Sequence, residues 1–202
     1  SIRLPYASLE DLRRRYEFAD LQSFLDLYYS NMAVLQTEAD FAAATIPLVE
    51  LYVTTAGYYT PGDGGGHTKV RIATPDPVEA WHKQSADGAW WEVTEEVIRP
   101  QMLGAKADGT TNDTTAVQAA FDYDAPVEII GSFMLYARIT RTGATSVKGY
   151  GPLKSKLIWH ADATGWGVKI STVGTSAGQY IGVDGIGVYA NSAGDGTGIE
   201  LD

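Results

Sequence analysis

The sequence predicts a mostly β protein in which an N-terminal helical segment and a small β module precede a stack of short strands. Two patterns predict the stack and its start. Apolar side chains recur at helical spacing in residues 116–121, so one face of a short helix is apolar. From Val127 onwards, short β-rich runs alternate with Gly, Ser and Asp. A helix with one apolar face directly before such runs is typical of a lid on the open end of a solenoid core.

Composition limits the partners of the chain. Its 202 residues include 25 acidic and 15 basic side chains, and the net charge of −10 disfavours binding to nucleic acid or to an anionic membrane. No apolar run approaches the roughly 20 residues that a membrane-spanning helix needs. The absence of cysteine excludes disulfides and thiolate metal sites. We therefore predict neither a nucleic-acid partner nor membrane insertion, and we assign no cofactor and no metal.

Residues 1–44 are predicted to be a helical segment. Thr37 followed by Asp40 is typical of a helix start, because the two side chains can bond each other's backbone N–H groups. An apolar stripe at helical spacing precedes this start: Leu21, Phe24, Leu25, Tyr28 and Met32. Such a stripe must be buried against something.

The same segment carries a resemblance to a known family. The run F-L-D-L-Y-Y-S-N-M-A-V-L-Q-T-E-A-D-F, within residues 2–42, resembles an early helical stretch of bacterial adenosine/adenine deaminases. Those enzymes are zinc-dependent (β/α)₈ barrels of around 250 residues. Their His-x-His and later metal ligands have no counterpart here, because His67, His82 and His160 stand at unrelated spacings. The resemblance therefore implies an inactive deaminase fragment and no deaminase activity.

Residues 45–97 are predicted to be a small β module. Asp87-Gly88 is a hairpin turn between runs that contain Trp81 and Trp90-Trp91, and we expect the tryptophans to face a core rather than to stack on sugars. Before them stands G-Y-Y-T-P-G-D-G-G-G-H-T, at 57–68, whose adjacent glycines predict a tight or mobile turn. We call residues 62–66 the glycine turn; its members are Gly62, Asp63, Gly64, Gly65 and Gly66. A phosphate-binding loop is disfavoured because the Lys-Ser/Thr pair and a following helix are missing.

Residues 98–202 are predicted to be a capping helix followed by the start of the stack. Residues 103–121, L-G-A-K-A-D-G-T-T-N-D-T-T-A-V-Q-A-A-F, are called the start motif. Side-chain oxygens of Asn112, Asp113 and Thr114 can cap the helix, and Gln118 is expected on a less buried face. Asp108, Asn112 and Asp113 loosely resemble a calcium loop, but the spaced acidic ligands and the later Glu are absent.

The start motif resembles the beginning of the pectate-lyase-like right-handed parallel β-helix found in bacteriophage tailspikes. The family pattern is roughly F-G-A-x-G-D-G-x-x-D-D-T-x-A-I-Q-x-A. The residues that match it include Gly104, Asp108, Gly109, Asp113, Thr114 and Gln118, whereas Leu103, Ala107 and Asn112 depart from it. The glycine turn and its preceding G-Y-Y resemble a motif of the particle-binding N-terminal modules of tailspikes, in the same order along the chain.

The resemblance implies a structural virion protein of the phage tail. Proteins of this kind are generally homotrimers that dock on tail or baseplate proteins and recognise host surface polysaccharide. Because the chain stops within the strand pattern, we expect it to be the N-terminal attachment and trimerisation part of a longer protein.

An alternative function is a polysaccharide lyase or glycoside hydrolase with its site in or beyond these strands. Such chemistry needs paired carboxylates about 5 to 10 Å apart. The candidates are turn and strand acids of the last predicted runs: Asp184, Asp195, Glu200 and Asp202.

Overall fold

A computed structural model describes residues 34–143, 145–165, 167–171, 181–190 and 199–201. The predicted apolar stripe lies outside the described residues. The described chain begins with a short helix, α1 (Glu38–Ala43), and the predicted capping box is confirmed. The Thr37 hydroxyl accepts from the Asp40 N–H at 3.2 Å, and the Asp40 carboxylate accepts from the Thr37 N–H at 3.0 Å.

The β module is a four-stranded antiparallel sheet in the order β1-β2-β4-β3. Its strands are β1 (Tyr52–Thr55), β2 (His67–Ile72), β3 (His82–Gln84) and β4 (Trp90–Val93). Helix α1 covers one face of the sheet, where the rings of Phe41 and Trp91 meet edge to face with centroids 6.0 Å apart. Trp91 is fully buried, so the core role is confirmed for this tryptophan. The predicted hairpin at Asp87-Gly88 joins β3 to β4.

After a 3₁₀ helix (Pro100–Leu103), the chain contributes strands to three further sheets, which are parallel and which we call together the parallel stack. The elements are β5 (Asp108–Asn112), α2 (Thr114–Asp122), β6 (Val127–Glu128), β7 (Gly131–Leu135), β8 (Ile139–Thr142), β9 (Thr145–Lys148), β10 (Ser155–Trp159), β11 (Val168–Ser171), β12 (Ile181–Asp184), β13 (Gly187–Ala190) and β14 (Ile199–Leu201). The sheets have the orders β13-β10-β7-β5, β14-β11-β8 and β12-β9-β6. Successive strands from β6 onwards therefore visit the three sheets in turn, and each from β9 onwards pairs with the strand three places earlier.

Alternating side chains along these strands build one shared core. In β10, Leu157 and Trp159 are buried, whereas Ile158 between them is partly exposed. In-register neighbours have the same inward direction, so Leu157 lies beside Phe133 of β7. The core continues into the β module, because Val93 and the partly buried Trp81 pack against it. The division at residue 97/98 stays a prediction, although the packing is continuous across it.

Helix α2 closes the first turn of the stack. Val117, Ala120 and Phe121 are buried, as the apolar spacing predicted. The helix is held to β8 by polar bonds at its middle and at its C-terminal end. Gln118 bonds the backbone of Thr140, and Arg141 donates from Nη1 to the carbonyl oxygens of Phe121 at 2.7 Å and Tyr123 at 3.1 Å.

Gln118 lies on a less buried face of α2 than Phe121, as expected, but its bonds were not predicted. Its amide donates from Nε2 to Thr140 O at 2.7 Å and accepts at Oε1 from Thr140 N at 3.0 Å. The side chain therefore pairs with the free edge of β8 as a neighbouring strand would. Strand β8 begins its sheet, so its outer edge presents backbone donors and acceptors without a strand partner. The half-buried Gln118 side chain supplies that partner at Thr140.

We expect Gln118→Ala to lower the free energy of unfolding by about 1–3 kcal/mol, because both backbone groups of Thr140 lose their partner. Thr115→Ala on the exposed face of the same helix is the matched control and should change stability by less than about 0.5 kcal/mol. Urea denaturation followed by circular dichroism measures both. Equal changes in the two variants would show that the Gln118 bonds do not stabilise the lid.

Candidate functional site

The glycine turn of the β module is organised by one carboxylate. Asp63 accepts from four backbone N–H groups: those of Tyr58 at 3.1 Å, Tyr59 at 2.7 Å, Thr60 at 3.0 Å and Gly65 at 2.8 Å. Burial acts to raise the pKa of Asp63, but these four donors together hold it below its ordinary value. The turn is thus a closed structure built around a negative charge.

The glycines of this turn are required for two different reasons. Gly62 and Gly64 have φ values of +82° and +87°, which side chains disfavour. Gly65 is needed for close approach, since a Cβ there would lie 2.6 Å from the carbonyl oxygen of Gln101. At Gly66 a Cβ would lie 2.7 Å from Ala56 O. The turn is therefore tight and packed against the 3₁₀ helix of the following segment.

Two tyrosines complete this joint between the β module and the start motif. The Tyr59 hydroxyl donates to Gly104 O at 2.8 Å. The Tyr58 ring lies against Gly104, where a Cβ would be 3.0 Å from its Cζ, and Gly104 has a φ of +100°. Within the 3₁₀ helix, Gln101 donates from Nε2 to Ile130 O at 2.6 Å. The glycine turn and the start motif thus meet at one contact.

The carboxylate of Asp113 holds the loop before α2 rather than the helix itself. Asp113 occupies the cap position but its side chain makes no capping bond; it accepts from Lys106 N at 2.8 Å and Ala107 N at 3.0 Å. The capping prediction is confirmed for Asn112, whose Oδ1 accepts from Thr114 N at 3.1 Å. It is wrong for Asp113, because the loop folds back over the helix start and supplies nearer donors. Burial raises the pKa of Asp113 in spite of these bonds.

The remaining residues of the start motif also have structural contacts. Asp108 accepts from the N–H groups of Thr111 and Thr110, which hold its pKa well below the usual range. Gly109 has a φ of +76°. Thr114 accepts at Oγ1 from Tyr136 N at 2.8 Å and so ties the helix start to the end of β7. Within the described ranges, no group of three or more His, Asp or Glu side chains is placed to hold a metal.

The candidate catalytic carboxylates are only partly described. Asp195 and Asp202 lie outside the described residues. Glu200 belongs to β14, whose backbone pairs with β11 at Lys169. Asp184 ends β12 and is exposed. The described chain therefore allows one of the four candidates to be placed with its side chain.

Asp184 stands in a row of alternating charge that the sequence did not predict. It is in register with Lys148 of β9, which is in register with Glu128 of β6. The Tyr150 hydroxyl bonds Glu128 Oε1 at 2.5 Å, and Arg99 Nε lies 3.8 Å from Glu128 Oε2. Opposite charges on adjacent strands stabilise a sheet, so the arrangement has a structural explanation.

No family model matches the chain. Its fold is similar to that of solved phage tailspikes. Full-length tailspike protein 2 of an Escherichia coli bacteriophage matches 97% of this chain with a TM-score of 0.61 at 19% identity, and the match covers 26% of the tailspike. The enzymatically active domain of tailspike protein 2 from bacteriophage CBA120 matches 96% of this chain with a TM-score of 0.62 at 20% identity, over 29% of that domain. An Acinetobacter phage tailspike matches 83% of this chain at a TM-score of 0.60 and 17% identity.

At these identities the likeness shows the fold: a mostly β chain with tailspike-like β-helix neighbours. The chain spans about a quarter to a third of the length of these three proteins. Among the described residues no helix is both long enough and apolar enough to cross a membrane.

The curated relatives belong to a different class. Adenine deaminase of Rhodospirillum rubrum is 65% identical over 40 residues, which are 20% of this chain and 12% of the enzyme. Adenine deaminase of Caulobacter vibrioides is 39% identical over 69 residues, or 18% of the enzyme. These are short partial matches. They confirm the resemblance of a segment.

We expect Gly65→Ala to destabilise the chain by roughly 3 kcal/mol, because the new methyl group would overlap backbone that cannot move cheaply. Gly62→Ala is the matched control: its Cβ meets nothing within 4 Å, so it loses only the roughly 1–2 kcal/mol of a left-handed backbone. Denaturation midpoints compare them. A smaller loss for Gly65→Ala than for Gly62→Ala would show that the glycine turn is not packed on Gln101.

Proposed function

We propose that this chain is the N-terminal attachment and trimerisation part of a phage tailspike or tail fibre, located in the virion tail. In this proposal the parallel stack is the first turns of a right-handed parallel β-helix, and α2 is its cap. Later turns of the full-length protein recognise host surface polysaccharide. The chain itself is a structural virion protein.

The observation that carries this proposal is the extent of the fold likeness. One tailspike matches 97% of the chain, so the β module, the joint and the stack are matched together and in order. The joint supports the proposal further. An attachment module must transmit load to the part that binds the host, and here the glycine turn is seated on the start of the stack.

An exposed apolar surface supports a partner for the β module. Arg71 donates from Nη2 to Ile46 O at 2.8 Å and Pro47 O at 2.9 Å, and from Nε to Glu50 O at 3.1 Å. Its guanidinium also lies 4.3 Å from the centroid of the Trp91 ring. These bonds fix a loop whose apolar side chains face solvent. We call its exposed members, continuing into β1, the apolar row: Leu48, Val49, Leu51 and Tyr52.

We propose that the apolar row is buried between three copies of the chain around the fibre axis. A rigid loop that presents apolar side chains is typical of an interface, and a closed symmetric assembly buries the same patch of every copy. Tail or baseplate proteins are then the docking partner of the assembled trimer. The Trp91 ring packs inside its own module, so it is not available to this contact.

A polysaccharide-degrading enzyme is the second candidate function. One matched structure is described as an enzymatically active domain. Glu128 and Asp184 also share an outward face two strand spacings apart, about 10 Å, which is near the carboxyl separation of inverting glycosidases. Lys148 stands between them in register, and this favours a charge ladder over a catalytic pair. Depolymerisation of capsular polysaccharide by the wild-type chain, lost in Asp184→Asn, would support the enzyme instead.

Assembly is tested by light scattering coupled to gel filtration. The chain mass is 21.7 kDa, and we expect a species of about three times that mass. The double variant Leu48→Ser/Leu51→Ser should shift the population to monomer, because it removes apolar area from the interface. Leu153→Ser is the matched control, since Leu153 is 81% exposed on the stack, much as Leu48 is 83% exposed on the module.

Two outcomes would contradict the assembly proposal. A monomer at every concentration removes the trimer. A trimer that persists in the double variant, or that is lost equally in Leu153→Ser, removes the apolar row as its contact. Neither outcome depends on the polysaccharide, so assembly and glycan chemistry are tested separately.

A further inference from the structure

A buried cluster of ionisable groups lies between α1 and the sheet of the β module. We call it the buried ion cluster; it consists of Glu38, His67 and Lys69. The Lys69 ammonium is fully buried, 2.8 Å from Glu38 Oε2 and 4.5 Å from the centroid of the Phe41 ring. His67 Nε2 lies 3.7 Å from the same carboxylate oxygen. Helix α1 thus supplies the only carboxylate within the cluster.

The surroundings of His67 show which ring nitrogen carries a hydrogen in the closed cluster. Nδ1 lies 2.8 Å from Gly65 O, and a carbonyl can only accept, so Nδ1 carries the hydrogen. Nε2 is buried and has no hydrogen-bond partner among the described residues. Burial beside the fully buried Lys69 ammonium favours the neutral imidazole, whose Nε2 lone pair faces the Glu38 carboxylate that is ion-paired with Lys69.

A second cation cannot be accommodated well beside Lys69. Lys69 lies on the same strand as His67, and Lys83 approaches from β3. Glu38 on α1 and Glu95 after β4 are the acids that face Lys69. Burial, followed by the charges of Lys69 and Lys83, lowers the pKa of His67 to about 3. The closed cluster resists a proton that a hydrated imidazole would accept.

We propose that α1 is an acid-released latch: when His67 takes up a proton, α1 leaves the sheet so that water reaches His67 and Lys69. The opened imidazole has an ordinary pKa near 6.5, so below that pH the opened form binds more protons than the closed form. Opening is therefore favoured as the pH falls from about 6.5 towards 3, and it is disfavoured above this window. This inference goes beyond the proposed function and does not depend on it.

The contacts of α1 explain why it opens before the rest of the module. Its helix is short, and its hold on the sheet is a small set of bonds. Glu38 N donates to Tyr58 O at 3.0 Å, and the edge-to-face contact of Phe41 with Trp91 is its main apolar contact. The flanking Leu35 and Ala44 carbonyls accept from Ala56 N at 2.8 Å and Ala86 N at 3.0 Å. Among the described residues, loss of the cluster leaves these backbone bonds and the Phe41–Trp91 packing to keep α1 closed.

Two amides of the sheet report opening directly. Ala56 and Ala86 stay in the module, but their acceptors belong to the segment that leaves. Hydrogen exchange of these amides in the 202-residue chain, corrected for the intrinsic rate at each pH, measures the latch. We expect exchange to accelerate by up to tenfold per pH unit below 6.5, whereas Ile129 and Gly149, bonded within the stack, stay unchanged.

The matched variants are His67→Asn and His160→Asn. Asn can keep a donor to Gly65 O but does not titrate, so the acceleration should disappear in His67→Asn and persist in His160→Asn. Lys83→Met leaves His67 in place and removes a nearby cation, so it should reduce the total acceleration; it decides the matter where His67→Asn does not fold. Four outcomes would each overturn the latch. Exchange in the wild type could fail to accelerate, or Ile129 could accelerate in parallel. The acceleration could also be equal in His67→Asn, or undiminished in Lys83→Met.

Discussion

The described chain depends on closing the first end of a parallel stack. The first strand of each sheet has backbone donors and acceptors without a strand partner on one side, and the core between the sheets is open to water. Different residues satisfy these backbone groups in each sheet, and another residue covers the core. Strand β5 pairs with β7, Gln118 pairs with β8, and the Ile98 carbonyl accepts from Glu128 N of β6. Phe121, with 1% of its surface exposed, fills the core at the same level.

Two aspartates set the loops that make this closure possible. Asp63 gathers four N–H groups of the glycine turn, and Asp113 gathers two from the loop before α2. Both carboxylates are used to hold backbone, as is that of Asp108. The polar residues of a motif can therefore be architectural. For this chain, the proposed function accordingly rests on surfaces outside the motif, namely the apolar row and the outer faces of the stack.

Local patterns predicted the elements, but not the long-range partners. The apolar face of α2, the capping box at Thr37 and the burial of Trp91 follow from spacing and residue type. The role of Gln118 could not be predicted, because its partner Thr140 lies 22 residues further along the chain. Likewise His67 and Lys69 look like the solvated face of β2. They are buried because α1, which precedes β2 in sequence, brings Glu38 over them. Strand register, which aligns Glu128 with Lys148 and Asp184, is also invisible to a single sequence.

The order of elements along the chain has a consequence for biosynthesis. Each strand from β9 onwards pairs with one that precedes it, and the lid α2 precedes them all. The ribosome therefore releases α2 and the first strands before the strands that pair with them, so the stack can grow in the direction of translation. Because each turn touches only its neighbours, growth is a series of similar steps rather than one global collapse. Late turns never have to wait for a partner still to be made.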